Sequence, residues 1–230
     1  MKESIILHNI NCLDYIRTDE YQAVKSNIII VTDPPFNVGY HYNEYTDSMP
    51  EDEYYSMLST LFDDVPFVCI HYMEELFKLA IKLNEPPRKV VSWVYNSNTA
   101  KQHRGVGFWR VKPDFTLVTQ PYKNPTDKRI KERIDRGILG GRLYDWWNIN
   151  QVKNVSKTDN PHPCVMPLEV MKNTIGLLPK DKTIFDPFMG SGTTGEACRV
   201  LGRDFIGCEL NKEYFDYARK RILNEYTFGM

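Results

Sequence analysis

Two clusters of residues stand out for the chemistry they could do. The first is Asp33-Pro34-Pro35-Phe36, which follows the run Asn27-Ile28-Ile29-Ile30-Val31-Thr32. A β-branched run of this kind reads as a buried strand, so the four residues sit at a strand end. The Asp33 carboxylate and the Pro34 carbonyl are two acceptors, and consecutive prolines keep the backbone beside them still. Two convergent acceptors suit an exocyclic amine whose lone pair is delocalised into an aromatic ring. Each takes one N–H, and the lone pair can then localise toward an electrophile. Phe36 offers a ring face on which a flipped base could stack. The plainer reading is a proline-braced turn, and a bare Asp-Pro-Pro would support nothing more.

The second cluster is Asp186-Pro187-Phe188-Met189-Gly190-Ser191-Gly192-Thr193-Thr194-Gly195. Thr183-Ile184-Phe185 reads as a strand leading in, and a helix follows from Thr194. Glycines let backbone approach a ligand, and the helix N-terminus offers free N–H groups. Glu209 stands nineteen positions after Gly190, at the end of the next strand. An acid there can accept hydrogen bonds from two ribose hydroxyls. The spacing Gly190-x-Gly192-x-x-Gly195 also fits the fingerprint of dinucleotide enzymes. Two details favour S-adenosyl-L-methionine instead. Asp186 could hold an ammonium group, and Ser191, Thr193 and Thr194 put hydroxyls around a carboxylate-sized site.

Together these residues resemble the beta-type amino-methyltransferases of DNA, which act on N6 of adenine or N4 of cytosine. The resemblance covers nearly the whole chain. The catalytic motif comes first and the cofactor glycines come near the C-terminus, a circularly permuted order. His162-Pro163-Cys164-Val165-Met166-Pro167 resembles the family's His-Pro-x-x-Lys-Pro segment, with Met166 where lysine is usual. Asn11-Cys12-Leu13 stands where the family touches the cofactor's adenine. The resemblance implies a catalytic set of Asp33, Pro34, Pro35 and Phe36. It implies a cofactor set of Asn11, Cys12, Asp33, His162, Asp186, Phe188, Gly190, Ser191, Gly192, Thr193, Thr194, Glu209 and Leu210. Asp at the head of the motif, with Asn37 after Phe36, points to adenine in DNA. The implied reaction is direct in-line methyl transfer, with no covalent enzyme intermediate and no metal. Four alternatives stay open at this point. The target could be N4 of cytosine, or adenine in RNA. The chain could be an NAD-dependent oxidoreductase, or an inert nucleic-acid-binding subunit.

These motifs need a scaffold, and short apolar strands alternating with helical stretches supply one. Strands are expected at Ile5–Leu7, Asn27–Thr32, Phe67–Ile70, Val90–Tyr95, Phe115–Thr119, Thr183–Phe185 and Phe205–Cys208. Helices are expected at Glu51–Leu61, Met73–Leu83, from Pro167, at Thr194–Leu201 closed by Gly202, and after the cap Asn211. This alternation predicts an α/β fold: a Rossmann-like methyltransferase with a mainly parallel central sheet and helices on both faces. The chain is expected to form a single catalytic domain over 1–230, with substrate-facing loops within about 97–145.

The net charge of −1 hides an uneven distribution. Glu44 to Asp64 holds seven acids and no base, whereas Lys101 to Arg142 holds eleven bases against four acids. Such a stretch can be a solvated face or a polyanion site. Phe108, Trp109, Tyr122 and Trp146 in or beside it favour nucleic acid. Asn37, Lys101, Arg104, Arg110 and Lys112 are the expected DNA contacts. Five scattered cysteines show no metal-type spacing, which fits buried thiols in a reducing compartment. No apolar run reaches membrane-spanning length, so a soluble cytoplasmic protein is expected. A homodimer and a restriction endonuclease partner are both compatible with the sequence.

Overall fold

The computed structural model describes residues 3–39, 47–97, 100–153 and 160–225. In chain order the strands and helices are β1 (Ile5–His8), α1 (Cys12–Tyr15), α2 (Asp19–Val24), β2 (Ile28–Thr32), α3 (Glu51–Leu61), β3 (Phe67–His71), α4 (Met73–Leu83), β4 (Lys89–Val94) and β5 (His103–Trp109). There follow β6 (Thr119–Gln120), α5 (Lys128–Asp135), β7 (Gly141–Arg142), β8 (Trp146–Asn148), α6 (Leu168–Gly176), β9 (Thr183–Asp186), α7 (Thr193–Leu201), β10 (Phe205–Cys208) and α8 (Lys212–Leu223).

The main sheet has eight strands in the order β1-β10-β9-β2-β3-β5-β4-β8. Within it β5 alone runs against its neighbours β3 and β4. β2 and β3 are buried at every position, as strands covered on both faces must be. Val68, Ile70, Val106 and Phe108 face α6, α7 and α8, which bring Val170, Ile175, Cys198 and Ile222. Phe67, Cys69 and Trp109 face α1 to α4, which bring Tyr15, Tyr21, Tyr54 and Leu76. The expected α/β architecture is therefore present. No helix among the described residues is long and apolar enough to cross a membrane.

Three readings of the sequence need correction. Residues 103–109 do not form a loop; they form β5, inside the sheet. Gly105 and Gly107 weaken the strand signal, yet both are there for packing. A Cβ at Gly105 would come within 2.5 Å of Leu76, and one at Gly107 within 2.4 Å of the Trp109 ring. Phe115–Val118 is not strand but turn. Asp114 accepts from the Thr116 N–H and hydroxyl, and this local bond competes successfully with β propensity. The stretch 121–145 is not all loop: Asp127 caps α5 by accepting from Arg129 and Ile130 N–H. Residues 98–99 of the stretch 97–112 lie outside the described residues.

The buried Arg203 ties the helix side to the sheet. Its guanidinium donates to the carbonyls of Ile175, Pro179 and Lys182 at 3.2, 2.5 and 3.0 Å. Arg203→Met would take the donor from three carbonyls, that of Ile175 among them being buried. The expected loss is about 2–3 kcal/mol, which corresponds to roughly 5–10 °C in Tm. Thermal melting checks it, and an unchanged Tm would remove Arg203 from the stability argument.

Candidate active site

The parallel strands β2, β9 and β10 all end on one side of the sheet. There the chain after β2 faces the turns after β9 and β10 across a cleft of about 370 Å³. Asp33, Pro34, Pro35 and Phe36 form one wall. Burial pushes the Asp33 carboxyl up to about 7, the Asp186 charge adds to this, and the Arg104 charge opposes it.

The proline loop is held from beneath. Tyr54 on α3 donates its hydroxyl proton to the Pro35 carbonyl at 2.7 Å. His71 Nε2 lies 3.2 Å from the same hydroxyl oxygen. The Tyr72 backbone N–H donates to His71 Nδ1 at 2.8 Å, which assigns the ring proton to Nε2. Burial, then the charges of Arg104 and Lys101, pushes His71 down to about 3, so the ring is neutral. The chain of donors runs from His71 through Tyr54 to Pro35. The His71 ring also stacks on Phe36, with centroids 4.3 Å apart.

Asn37 is spent on structure, contrary to its expected role at DNA. Its φ is +55°, and its side chain exchanges two hydrogen bonds with the Met49 backbone, at 2.8 and 2.6 Å. Buried Asp47 accepts from the Asn37 and Val38 N–H groups.

The facing wall is the glycine turn. Gly190 has φ +50°, and a Cβ there would lie 3.0 Å from His162 Nε2. Its N–H donates to Glu209 Oε2 at 2.9 Å, while Glu209 Oε1 accepts from Asn211 N–H at 2.8 Å. Asn11, Cys12, Phe188, Ser191, Thr193, Thr194 and Leu210 line the same cleft, as does His162. Burial pushes the Cys12 thiol up to about 12, so it stays protonated. Met166, where the family has lysine, is buried and lines the cleft.

Two expected cofactor contacts stand behind this wall. Asp186 accepts from Thr32, Thr194 and the Phe188 N–H, at 2.8, 2.5 and 3.1 Å. Its carboxylate braces the turn and is not presented to the cleft. Gly192, with φ +81°, packs against Ala218 and Ile222.

The expected DNA contacts divide. Lys101 and Arg104 lie at the cleft end of β5, where Lys101 sits 4.2 Å from the Tyr72 ring centroid. Arg110 lies at the other end, because β5 pairs Gly105 with His71 and Trp109 with Phe67. It is bound by Glu85 at 2.9 Å and by the Phe62 carbonyl at 2.6 Å. Lys112, two residues further on, is exposed and is not among the residues that line the cleft. Four contributors were not read from the sequence: Tyr54, His71, Asp47 and Arg221. Arg221 on α8 donates to Glu196 at 2.6 Å and to the Thr193 hydroxyl at 2.9 Å, so it steadies the glycine turn. Only the position of His71 at a strand end gave any signal.

Residues 28–220 match the DNA methylase family of the N6/N4 type. The chain belongs to this family. The match sets the oxidoreductase alternative aside. The methylase is 26% identical over 236 residues to the Type II methyltransferase M.HpaI of Haemophilus parainfluenzae, across 94% of this chain and 74% of that one. Its fold is similar to that of the PvuII DNA methyltransferase described as cytosine-N4-specific. The TM-score is 0.68 at 18% identity, over 99% of this chain and 89% of that one. It is also similar to M1.HpyAVI, solved as a complex with S-adenosylmethionine. There the TM-score is 0.61 at 24% identity, over 95% and 98% of the two chains.

The wall fits S-adenosylmethionine, the methyl donor the family implies. Gly190 leaves a cradle that a side chain would fill, and Glu209 brings a carboxylate suited to a ribose diol. Asn11, Cys12 and Phe188 would take the adenine end. Ser191 and Thr193, at the start of α7, would take the methionine end.

Proposed function

We propose that this methylase transfers a methyl group from S-adenosylmethionine to the N6 amino group of adenine in DNA. One observation carries the reading: Asp33 and Pro34 form a wall of the same cleft as the Gly190 turn and Glu209. Amine acceptors and cofactor cradle thus face one space. Aspartate at the head of the motif supports adenine over cytosine.

Bound there, S-adenosylmethionine supplies an electrophilic methyl group on a sulfonium. The chain supplies position and proton handling. The Asp33 carboxylate and the Pro34 carbonyl each accept one N–H of the amine. The lone pair then points along the line of attack. With its carboxyl near 7, Asp33 is matched to accept a proton around neutral pH after attack. The His71–Tyr54–Pro35 chain keeps the acceptor loop from turning away. The Type II designation of the H. parainfluenzae relative supports a restriction-modification setting, with an endonuclease as partner.

The test is incubation with isotopically labelled S-adenosylmethionine and unmethylated genomic DNA, followed by mass spectrometry of the nucleosides. N6-methyladenine is the expected product. N4-methylcytosine would keep the chemistry and correct the base. Label on RNA alone would move the substrate, and no label on either would overturn the reading.

A further inference from the structure

The ring of Phe36 is approached from two directions. His71 pairs in register with Gly105, and Arg104 pairs with Trp93. His71 thus follows Phe67 and Cys69 onto the α3–α4 face, and Arg104 precedes Val106 and Phe108 on the other. The His71 ring stacks on Phe36, and the Arg104 guanidinium carbon lies 4.5 Å from the Phe36 centroid. Residues from opposite faces of the sheet therefore converge on one ring.

The two neighbours differ in how firmly they are held. His71 is buried and bonded at both nitrogens. Arg104 makes no ion pair among the described residues, and its Nε is buried there without a hydrogen-bond partner. Its guanidinium shares a side-chain hydrogen bond with Tyr95 and lies within reach of the Asp33 charge, but what packs around it is aromatic. Trp93, Tyr72 and Tyr95 have ring centroids 5.2, 5.6 and 5.8 Å away, in addition to Phe36. A slot that accepts a planar cation between rings has the shape for a planar base. An unsatisfied buried donor marks a conformer that gains partners by leaving.

We propose that the Arg104 guanidinium occupies the slot beside Phe36 that the target base takes, and that the base enters by displacing it. This rests on the reading of Phe36 as the base platform. Arg104 lines the cleft, so its long side chain can swing outward without moving β5. The freed guanidinium then meets the phosphates of the bound strand, where its fork finds acceptors. A base that leaves the stack only transiently competes with a resident cation. Occupancy of the slot thereby favours a target held in place by the rest of the duplex.

The experiment measures binding of the free nucleosides 2′-deoxyadenosine and 2′-deoxycytidine by calorimetry, with S-adenosylhomocysteine saturating the cofactor side. Arg104→Ala should bind one of them about tenfold more tightly than the wild type, the gain expected when a slot closed roughly nine-tenths of the time is opened. Adding Phe36→Ala should remove the gain. Arg104→Lys keeps the charge but loses the planar fork, and it should show part of the gain. Circular dichroism and S-adenosylhomocysteine affinity establish that each variant is folded. Equal or weaker nucleoside binding in both Arg104 variants overturns the proposal. If the wild type methylates DNA in that case, the base-platform reading survives it. If the wild type methylates no nucleic acid, that reading fails and takes the proposal with it.

Discussion

Asp33→Asn lowers the methylation rate by about a thousandfold, the scale seen when a single preorganised polar contact to a reacting centre is lost, and it stabilises the protein above neutral pH. Both effects come from one carboxylate. The amide has nearly the same shape and still offers an oxygen. It cannot take a proton, and its NH₂ group can face the amine that the carboxylate would have oriented. The stability effect follows from the shift of the group. Burial and Asp186 raise Asp33 from 3.8 to about 7 in the folded chain. A raised folded value means that its favourable contribution is complete below about pH 4 and is lost as pH rises through about 7. At about pH 8 the wild type holds a desolvated, ionised carboxylate, and the neutral amide of the variant removes that burden. The gain in Tm of the variant should therefore be largest near pH 8 and shrink toward zero near pH 4. For the same reason wild-type turnover should rise through about pH 7 as Asp33 ionises. Thermal melts across pH, beside single-turnover rates, measure both. A variant that keeps most of its rate removes Asp33 from the chemistry.

The residues that do local work were legible in the sequence. Asp33-Pro34-Pro35-Phe36 declares itself because a β-branched run ends at two prolines. Gly190 and Glu209 declare themselves because a turn and an acid fall at the ends of neighbouring strands. Burial, register and distance are what the sequence concealed. Asp186 looks like a ligand contact from its position, but Thr32 is a neighbour only once β2 and β9 pair. Asn37 looks like a substrate contact until Met49 returns beside it.

The basic stretch is the clearest case. Arg104 and Arg110 are six positions apart and belong to one apparent patch. In an extended strand that separation is roughly 20 Å, which carries one to the cleft and the other to the far end of the sheet. Charge density along a chain says nothing of this until β5 is recognised as a strand. Its two glycines hide it, because the side chains that need their space come from α4 and from Trp109. Tyr54 is similarly silent, for its pairing with His71 crosses from a helix to the end of a strand.

Glu209→Ala should weaken S-adenosylmethionine binding by about a hundredfold. Glu209 holds both sides of the cradle, through the Gly190 and Asn211 N–H groups. Hydrogen bonds to a charged group contribute about 1.5–3 kcal/mol each, and roughly 2.8 kcal/mol corresponds to the hundredfold. The cost has two origins: the ribose loses its acceptor, and the glycine turn loses its anchor. Glu209→Gln separates them. Its single oxygen can keep one N–H, while its NH₂ group meets the other N–H as donor against donor. It should therefore fall between wild type and alanine, at about tenfold weaker binding. Burial holds the Glu209 carboxyl above its ordinary value, so wild-type affinity should weaken as pH falls, and the alanine variant should lose that dependence. Calorimetric titration with S-adenosylmethionine at several pH values reads all three. Wild-type affinity in Glu209→Ala would place the ribose elsewhere in the cleft, and with it the direction from which the methyl group meets Asp33.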